Sequence, residues 1–472
     1  MGFKQYSSIQ GALLDGTLSC VSVLSHFINE IHEHKNLNAF LEVFEEEALA
    51  RAKQLDEKKA NKGKLYGMII ALKDNICYKN HRVSASSKIL ENYISIYSAT
   101  VVERLLQEDA IIIGRTNCDE FAMGSSNENS AYGNVLNALD IKKVPGGSSG
   151  GSAVAVQAGF CHVALGSDTG GSIRQPAAFC GVVGYKPSYG TVSRYGLIAY
   201  ASSFDQIGPL SNSVSDARMV LEVISGKDDH DATMKKESIS FAGASLNKKP
   251  KIAYFKDTIY NDAIEPEVRN NTLALIEKLK ASGCEVEEVA FPYLDYLIPA
   301  YYVLSTAEAS SNLARFDGVH YGYRSANATN MEEVYTKSRS EGFGKEVQNR
   351  IMLGTFVLSS GYYDAYFGKA QKLRKLLTNT IEGIFQNYDY IISPTSPTTA
   401  FEFDAKGDDP VAMYLADIFT VLANLTAVPA ISIPLFKSAE NQMPIGIQLM
   451  SKRYSDAQLL DFSEYLMQEF TS

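Results

Sequence analysis

The sequence predicts an α/β protein, built as a single α/β/α domain with a central mixed sheet covered by helices on both faces. Three observations point there. Short apolar runs of strand type, GMIIAL, AIIIG, KIAYF and DYIIS, alternate with helical segments, which is the signature of the α/β class. No internal repeat and no low-complexity linker divides the 472 residues, although that length alone would permit two or three domains. The composition is 45% hydrophobic, enough over this length for one large core.

Taken in order, residues 7–34 read as helical, with Leu13, Leu14, Val21, Leu24, Phe27, Ile28 and Ile31 at helical spacing. Asn38, Ala39 and Phe40 open an extended piece, and residues 45–62, rich in Ala, Glu and Lys, form a charged helix. A buried strand at 67–72 ends on Lys73. After a polar loop come a helix over 99–108 and a strand over 110–114. Residues 117–123 read as a short helix feeding the loop GSSNENSAYG, which suits either a turn cluster or a pocket lining. Residues 145–186 hold two Gly-Ser loops, 146–152 and 169–172, around a small-residue helix and the strand-type run FCHVALGSD. Residues 213–224 are a helix with Ser213 or Ser215 as its N-cap. Residues 226–250 are a polar, charged loop. KIAYF, a helix over 265–282 and CEVEEVAF make strand–helix–strand. Residues 294–388 read as a mostly helical insertion of the kind that caps active sites. Alternation resumes with a strand at 389–393, a helix over 412–425, the strand AISIP, a strand at 446–450 and a helix from Asp456.

The net charge is −10, which argues against a broad basic face for RNA. Six cysteines are dispersed without CxxC or His/Cys ligand spacing, so they read as reduced thiols and imply no structural zinc. There is no signal-peptide pattern, and no apolar run is long enough to cross a membrane. The chain therefore reads as soluble and cytoplasmic.

The chemistry concentrates in the two Gly-Ser loops. Glycine serves where backbone must approach closely or take positive φ. A flexible linker of this composition is not normally bracketed by apolar segments and followed by Ile-Arg-Gln-Pro. GGSSGGS lacks the lysine of a phosphate-binding P-loop, and no G-x-G-x-x-G opens a helix. The G-x-S-x-G elbow is absent too, since Ser172 sits in GGSIR. None of the seven histidines carries a motif that would suit a Ser-His-Asp triad. A serine nucleophile still needs a base, and a lysine with a lowered pKa is the next candidate. Lys73 fits, although a lysine at a strand end taken alone reads as a snorkelling surface residue.

Lys73, GGSSGGS and DTGGSIR, in that order and spacing, resemble the amidase-signature family. The segments at 119–135, 196–210, 307–324 and 341–367 are similar to those of A subunits of bacterial glutamyl-tRNA(Gln) amidotransferases, and the resemblance covers nearly the whole chain. It implies the same α/β/α fold. It makes Ser172 the nucleophile, Ser148 a relay hydroxyl preceded by a cis peptide, and Lys73 the neutral base. Burial would lower the Lys73 pKa and Asp74 would pull the other way. The backbone N–H groups of Thr169, Gly170, Gly171 and Ser172 would face the oxyanion, each worth ~3 kcal/mol. Arg350 and Asp417, which unaided read as surface charges, would hold the α-carboxylate and α-ammonium of glutamine. Ser126 and Tyr301 would line the pocket, and Arg174 would brace the loop by an ion pair.

The resemblance implies no metal or cofactor in this chain. ATP and magnesium would belong to a kinase-transamidase partner, in a heterotrimer with B and C subunits. Glu-tRNA(Gln) would bind mainly through B, and Asp-tRNA(Asn) stays open as a second substrate. Two other readings compete. A stand-alone amidase acting on small carboxamides shares Lys73, Ser148 and Ser172 but does not need the Arg350/Asp417 pair. A non-catalytic scaffold needs none of them, and their joint presence argues against it.

Overall fold

The computed structural model describes residues 3–470 apart from 236, 238, 242, 244–246, 248 and 406–415. Among the described residues eleven strands form one mixed sheet. They are β1 (Phe40–Val43), β2 (Ile69–Lys73), β3 (Ile111–Thr116), β4 (Val163–Asp168), β5 (Val183–Lys186), β6 (Gln206–Ser211), β7 (Lys251–Phe255), β8 (Glu285–Val289), β9 (Tyr390–Pro394), β10 (Ala430–Lys437) and β11 (Pro444–Ser451). Their order is β1-β3-β2-β4-β6-β5-β10-β11-β9-β7-β8. The single continuous sheet and one core cluster running from Tyr6 to Leu466 make this one domain.

Two parallel neighbours place the site. β2 pairs with β4 with Ile70 opposite Val163 and Leu72 opposite Leu165, so both strands end on the same edge. Every residue of both strands is buried, as a parallel centre covered on both faces requires. Ligands of such sheets gather beyond the carboxyl ends of strands.

Helices cover the sheet. α1 (Gln10–Asp15) stops at Gly16, whose φ is 82°, and α2 (Cys20–Glu33) restarts with Ser19 capping Ser22 N, so the predicted 7–34 helix is broken in two. The turn residues Asp15-Gly16-Thr17 break a periodicity that otherwise continues. α3 (Glu45–Glu57) is shorter than predicted, and α4 (Thr100–Gln107) follows. α5 (Gly150–Ala158) and α6 (Arg174–Cys180) lead out of the two Gly-Ser loops. α7 (Val214–Ile224) is capped by Ser213, which accepts from Asp216 N at 3.0 Å. α8 (Pro266–Ala281) crosses between β7 and β8. Between β8 and β9 lie α9 (Leu294–Asn312), α10 (Met331–Gly342), α11 (Lys345–Leu358) and α12 (Lys369–Ile384).

Three expectations need correction. Residues 117–123 hold only a 3-10 turn, Glu120–Ala122, in which Phe121 has φ 50° and a continuing helix is impossible. β6 was not expected, because Gly208 and Pro209 interrupt its pattern, yet all six residues are buried. The helix expected over 412–425 is seen only at Val421–Leu425, after a turn, and its first part lies outside the described residues. Parts of the 226–250 loop also lie outside them, whereas Phe241 within that loop is buried. No helix among the described residues is long and apolar enough to cross a membrane.

Candidate active site

Lys73 ends β2 and is fully buried. Its Nζ is hydrogen-bonded to Ser148 Oγ at 2.7 Å, Ser149 Oγ at 2.9 Å and Ser167 Oγ at 3.0 Å. It makes no ion pair among the described residues. Burial pushes its pKa down to about 8, against the pull of Cys118 and of Asp119, Asp168 and Asp205. The Asp74 carboxylate, expected to pull the other way, is turned to other partners. It is spent on Arg115 at 2.6 Å and on the N–H groups of Ser84 and Ser86.

The loop before α5 brings Ser148 to Lys73. The Gly147–Ser148 peptide is cis. Gly147 must be glycine, since a Cβ there would lie 2.1 Å from Asp119 Oδ2. Gln175 fixes this loop from α6. Its Oε1 accepts from Gly147 N at 3.0 Å, and its Nε2 donates to Ser125 O at 2.9 Å.

The second loop leaves the carboxyl end of β4. Ser149 N donates to Ser172 O at 3.1 Å, which joins the two loops directly. Ser172 is 8% exposed, while Lys73 and Ser148 are at 0%. The nucleophile candidate is thus the one member of the three that reaches accessible space. Asp168 organises the loop. Its carboxylate accepts from Gly171 N at 2.9 Å and Ile173 N at 3.2 Å, and pairs with Arg174 at 2.9 and 3.0 Å. Burial would raise the Asp168 pKa, but Arg174 outweighs it and holds the carboxyl near 2. Arg174 is fully buried and also reaches Thr420 O, Gln448 Oε1 and Asn424 Oδ1, which makes it a brace. The Gly171 N–H is therefore already engaged, unlike the expectation. Thr169, Gly170 and Ser172 keep N–H groups with no bond to the described residues.

The other side of the site comes from the helices. Arg350, on α11, is only 5% exposed and not a surface charge. Its Nε contacts Glu346 at 2.7 Å, its Nη1 donates to Tyr200 OH at 2.8 Å, and its guanidinium lies 5.2 Å from the Tyr302 ring centre. Asp417 is 7% exposed and accepts from Ser125 Oγ at 2.5 Å. Burial pushes its carboxyl up to about 7, opposed by the Ser125 hydroxyl and the Arg350 charge. Tyr301, on α9, packs on the nucleophile loop so closely that a Cβ at Gly170 would sit 2.6 Å from its hydroxyl. Ser126 is buried beside Gly147, with its N–H 2.9 Å from where a Gly147 Cβ would stand. It is Ser125, not Ser126, that touches Asp417.

The match to known proteins decides the family. The amidase family model matches residues 22–460. The chain belongs to the amidase family. The chain is also 50% identical over 467 residues to the glutamyl-tRNA(Gln) amidotransferase A subunit of Chlorobium phaeobacteroides, covering 98% of each. The crystal structure of the glutamyl-tRNA(Gln) amidotransferase A subunit from Thermotoga maritima superposes with a TM-score of 0.79 at 39% identity, covering 96% of this chain and 94% of that one. Native peptide amidase from Stenotrophomonas maltophilia gives 0.82 at 26% identity, covering 99% of this chain and 96% of that one.

In this chain several groups at the site carry no signal of their own in the sequence. Ser149 and Ser167 are serines among many. Asn75 stands two residues past Lys73, and Tyr200 and Ser125 lie in loops whose charged partners, Arg350 and Asp417, are more than a hundred residues away. Among the described residues, no cluster of three or more His, Cys, Asp or Glu is arranged to hold a metal ion.

Proposed function

We propose that this chain is the glutamine-hydrolysing subunit of a tRNA-dependent amidotransferase. The observation that carries this reading is the burial of one cation and one acid, Arg350 and Asp417, both acting on Tyr301, which packs on the Ser172 loop. A free α-amino acid presents one carboxylate and one ammonium, and a buried pair of opposite charges is the complement it needs. A simple carboxamide offers neither charge.

In this mechanism Ser172 Oγ attacks the side-chain carboxamide carbon of glutamine. Its proton passes to Ser148 Oγ as the Ser148 proton passes to neutral Lys73 Nζ. The oxyanion is met by the N–H groups of Thr169, Gly170 and Ser172. Collapse returns the proton through Ser148 to the leaving nitrogen, and ammonia departs. Water then attacks the acyl-enzyme by the same relay, releasing glutamate and restoring Ser172.

The relatives named as A subunits of amidotransferases support a role inside a larger complex with B and C subunits. In that complex the ammonia converts Glu-tRNA(Gln) to Gln-tRNA(Gln), and Asp-tRNA(Asn) is a second candidate acceptor. ATP and magnesium act on the partner, the tRNA is held mainly there, and the setting is the cytoplasm. The net charge of −10 suits a chain that leaves tRNA to others. Ammonia release from glutamine tests this reading. The isolated chain should turn over weakly, and activity should rise with the partner subunits, Glu-tRNA(Gln) and ATP. A monomer fully active without tRNA on varied amides would instead establish a stand-alone amidase.

A further inference from the structure

α11 carries Arg350 but begins without a cap of its own. Its N-cap is Gly344, which has no side chain. Val347 stands at N3, where the glutamate of a capping box would reach back to the N-cap N–H. Glu120 does this from outside the helix. Its Oε2 accepts from Gly344 N at 2.8 Å, across 224 positions of sequence. A peptide N–H can only donate, so the direction of this bond is fixed. Ser87 Oγ donates to the other carboxylate oxygen, and Glu120 is buried.

The approach is close. A Cβ at Gly344 would lie 2.4 Å from Glu120 Oε2, and the atoms nearest to it would all belong to Glu120. Gly344 has φ −71°, which any residue adopts, so glycine serves here for approach and not for conformation. Farther along the helix, a Cβ at Gly354 would lie 1.9 Å from Thr306 O of α9. α11 is thus pinned on both sides of Arg350, which stands about 9 Å along the axis from Gly344. Phe121, next to Glu120, meets Phe343 edge to face at 5.6 Å. That apolar contact keeps the turn docked, but it is not directional and sets no height along the helix axis. The bond to Glu120 sets it.

We infer that Glu120 is a positioning residue for substrate choice, which seats the start of α11 and so holds the Arg350 guanidinium where it meets a substrate carboxylate. Glu120 makes no hydrogen bond to Lys73, Ser148 or Ser172 among the described residues, so it acts through Arg350 and not through the relay. The inference rests on the proposed pairing of Arg350 with the α-carboxylate of glutamine.

The test uses the full-length chain with its co-purifying partners. KM and kcat are measured for glutamine, and Ser172 is labelled by a serine-reactive fluorophosphonate, which presents no carboxylate to Arg350. Glu120→Ala should raise KM about tenfold, the worth of one buried hydrogen bond left unmade, and label at the wild-type rate. Glu120→Gln keeps an acceptor for Gly344 N and should keep KM near the wild-type value. Gly344→Ala should raise KM as Glu120→Ala does, by pushing α11 off its seat. Once Glu120→Ala has removed the obstructing carboxylate, adding Gly344→Ala should cost nothing more. Labelling that slows in step with the glutamine loss, an equal loss in Glu120→Gln, or losses that multiply in the double variant would overturn the inference. If Glu120→Ala does not fold, Gly344→Ala decides, and a wild-type KM in it overturns the inference. Arg350→Ala separates this inference from the reading beneath it. A wild-type KM there refutes the glutamine reading and this inference with it, whereas a raised KM there beside a wild-type KM in Glu120→Ala overturns this inference alone.

Discussion

Thr420 donates its hydroxyl to the carbonyl of Gly170 at 2.6 Å, and its side chain fills the space beside Gly171. It stands three residues after Asp417, whose carbonyl accepts from Thr420 N at 3.0 Å. The acid proposed to hold the substrate ammonium and the loop proposed to hold the oxyanion are therefore tied through one residue. Thr420→Val keeps the shape and removes the bond, worth about 1 kcal/mol. We expect kcat/KM for glutamine to fall up to about tenfold, with the loss in kcat at least as large as any change in KM. Unchanged steady-state kinetics would show the two parts to be independent.

Ser172→Ala should abolish ammonia release while leaving Tm within a few degrees of the wild type. A complex carrying it should still amidate tRNA when supplied with ammonium, because only the glutamine step is lost. Substantial glutaminase activity in the purified variant rejects the nucleophile assignment.

As the proposed base, Lys73 must be neutral to work, and burial, which pushes its pKa down to about 8, sets where that happens. Below this value the amine is protonated, so kcat/KM should fall about tenfold per pH unit as pH drops and level off above it. Lys73→Ala should be as damaging as Ser172→Ala. Lys73→Arg should not rescue activity, since a guanidinium stays protonated. A flat profile between pH 6 and about 9 would count against Lys73 as the base.

Arg350→Ala and Asp417→Asn should raise KM for glutamine steeply and matter far less for a simple aliphatic amide. Asp417 must be ionised to hold an ammonium, and its pKa of about 7 means KM should rise as pH falls below neutrality. Equal losses on both substrates would make these residues structural.

Arg174→Ala tests the brace. Removing it leaves Asp168 buried without its partner, and breaking such a pair costs about 3–5 kcal/mol. A clear drop in Tm is expected along with lost activity. A stable but inactive Arg174→Ala would move Arg174 from bracing to chemistry.

Much of the arrangement was legible because its signals are local. A run such as GMIIAL ending on lysine gives both the strand and the candidate base. Two glycine-rich loops flanking an apolar strand give the backbone donors. What stayed hidden depends on distance. Arg350 and Asp417 look like surface charges until folding buries them against Tyr200 and Ser125, and only the family resemblance drew attention to them. Which carboxylate acts on Lys73 is likewise tertiary. Asp74 is adjacent in sequence but turned to Arg115, whereas Asp119, Asp168 and Asp205 converge from three separate segments. In sequence the Gly171 N–H reads as a free donor, and only the fold brings the Asp168 carboxylate onto it.

β2 and β4 run side by side in fixed register, and they deliver Lys73 and the Ser172 loop to one edge of the sheet. A one-residue insertion or deletion in either strand would send every later side chain to the opposite face and dismantle the reacting groups at once. Arg350 and Tyr301 come instead from helices laid over that edge, and Asp417 from a turn before a short helix. The groups proposed to break the bond and those proposed to choose the substrate thus come from different parts of one polypeptide. On that assignment, redrawing the overlying helices admits a new amide while the strands beneath are inherited unaltered.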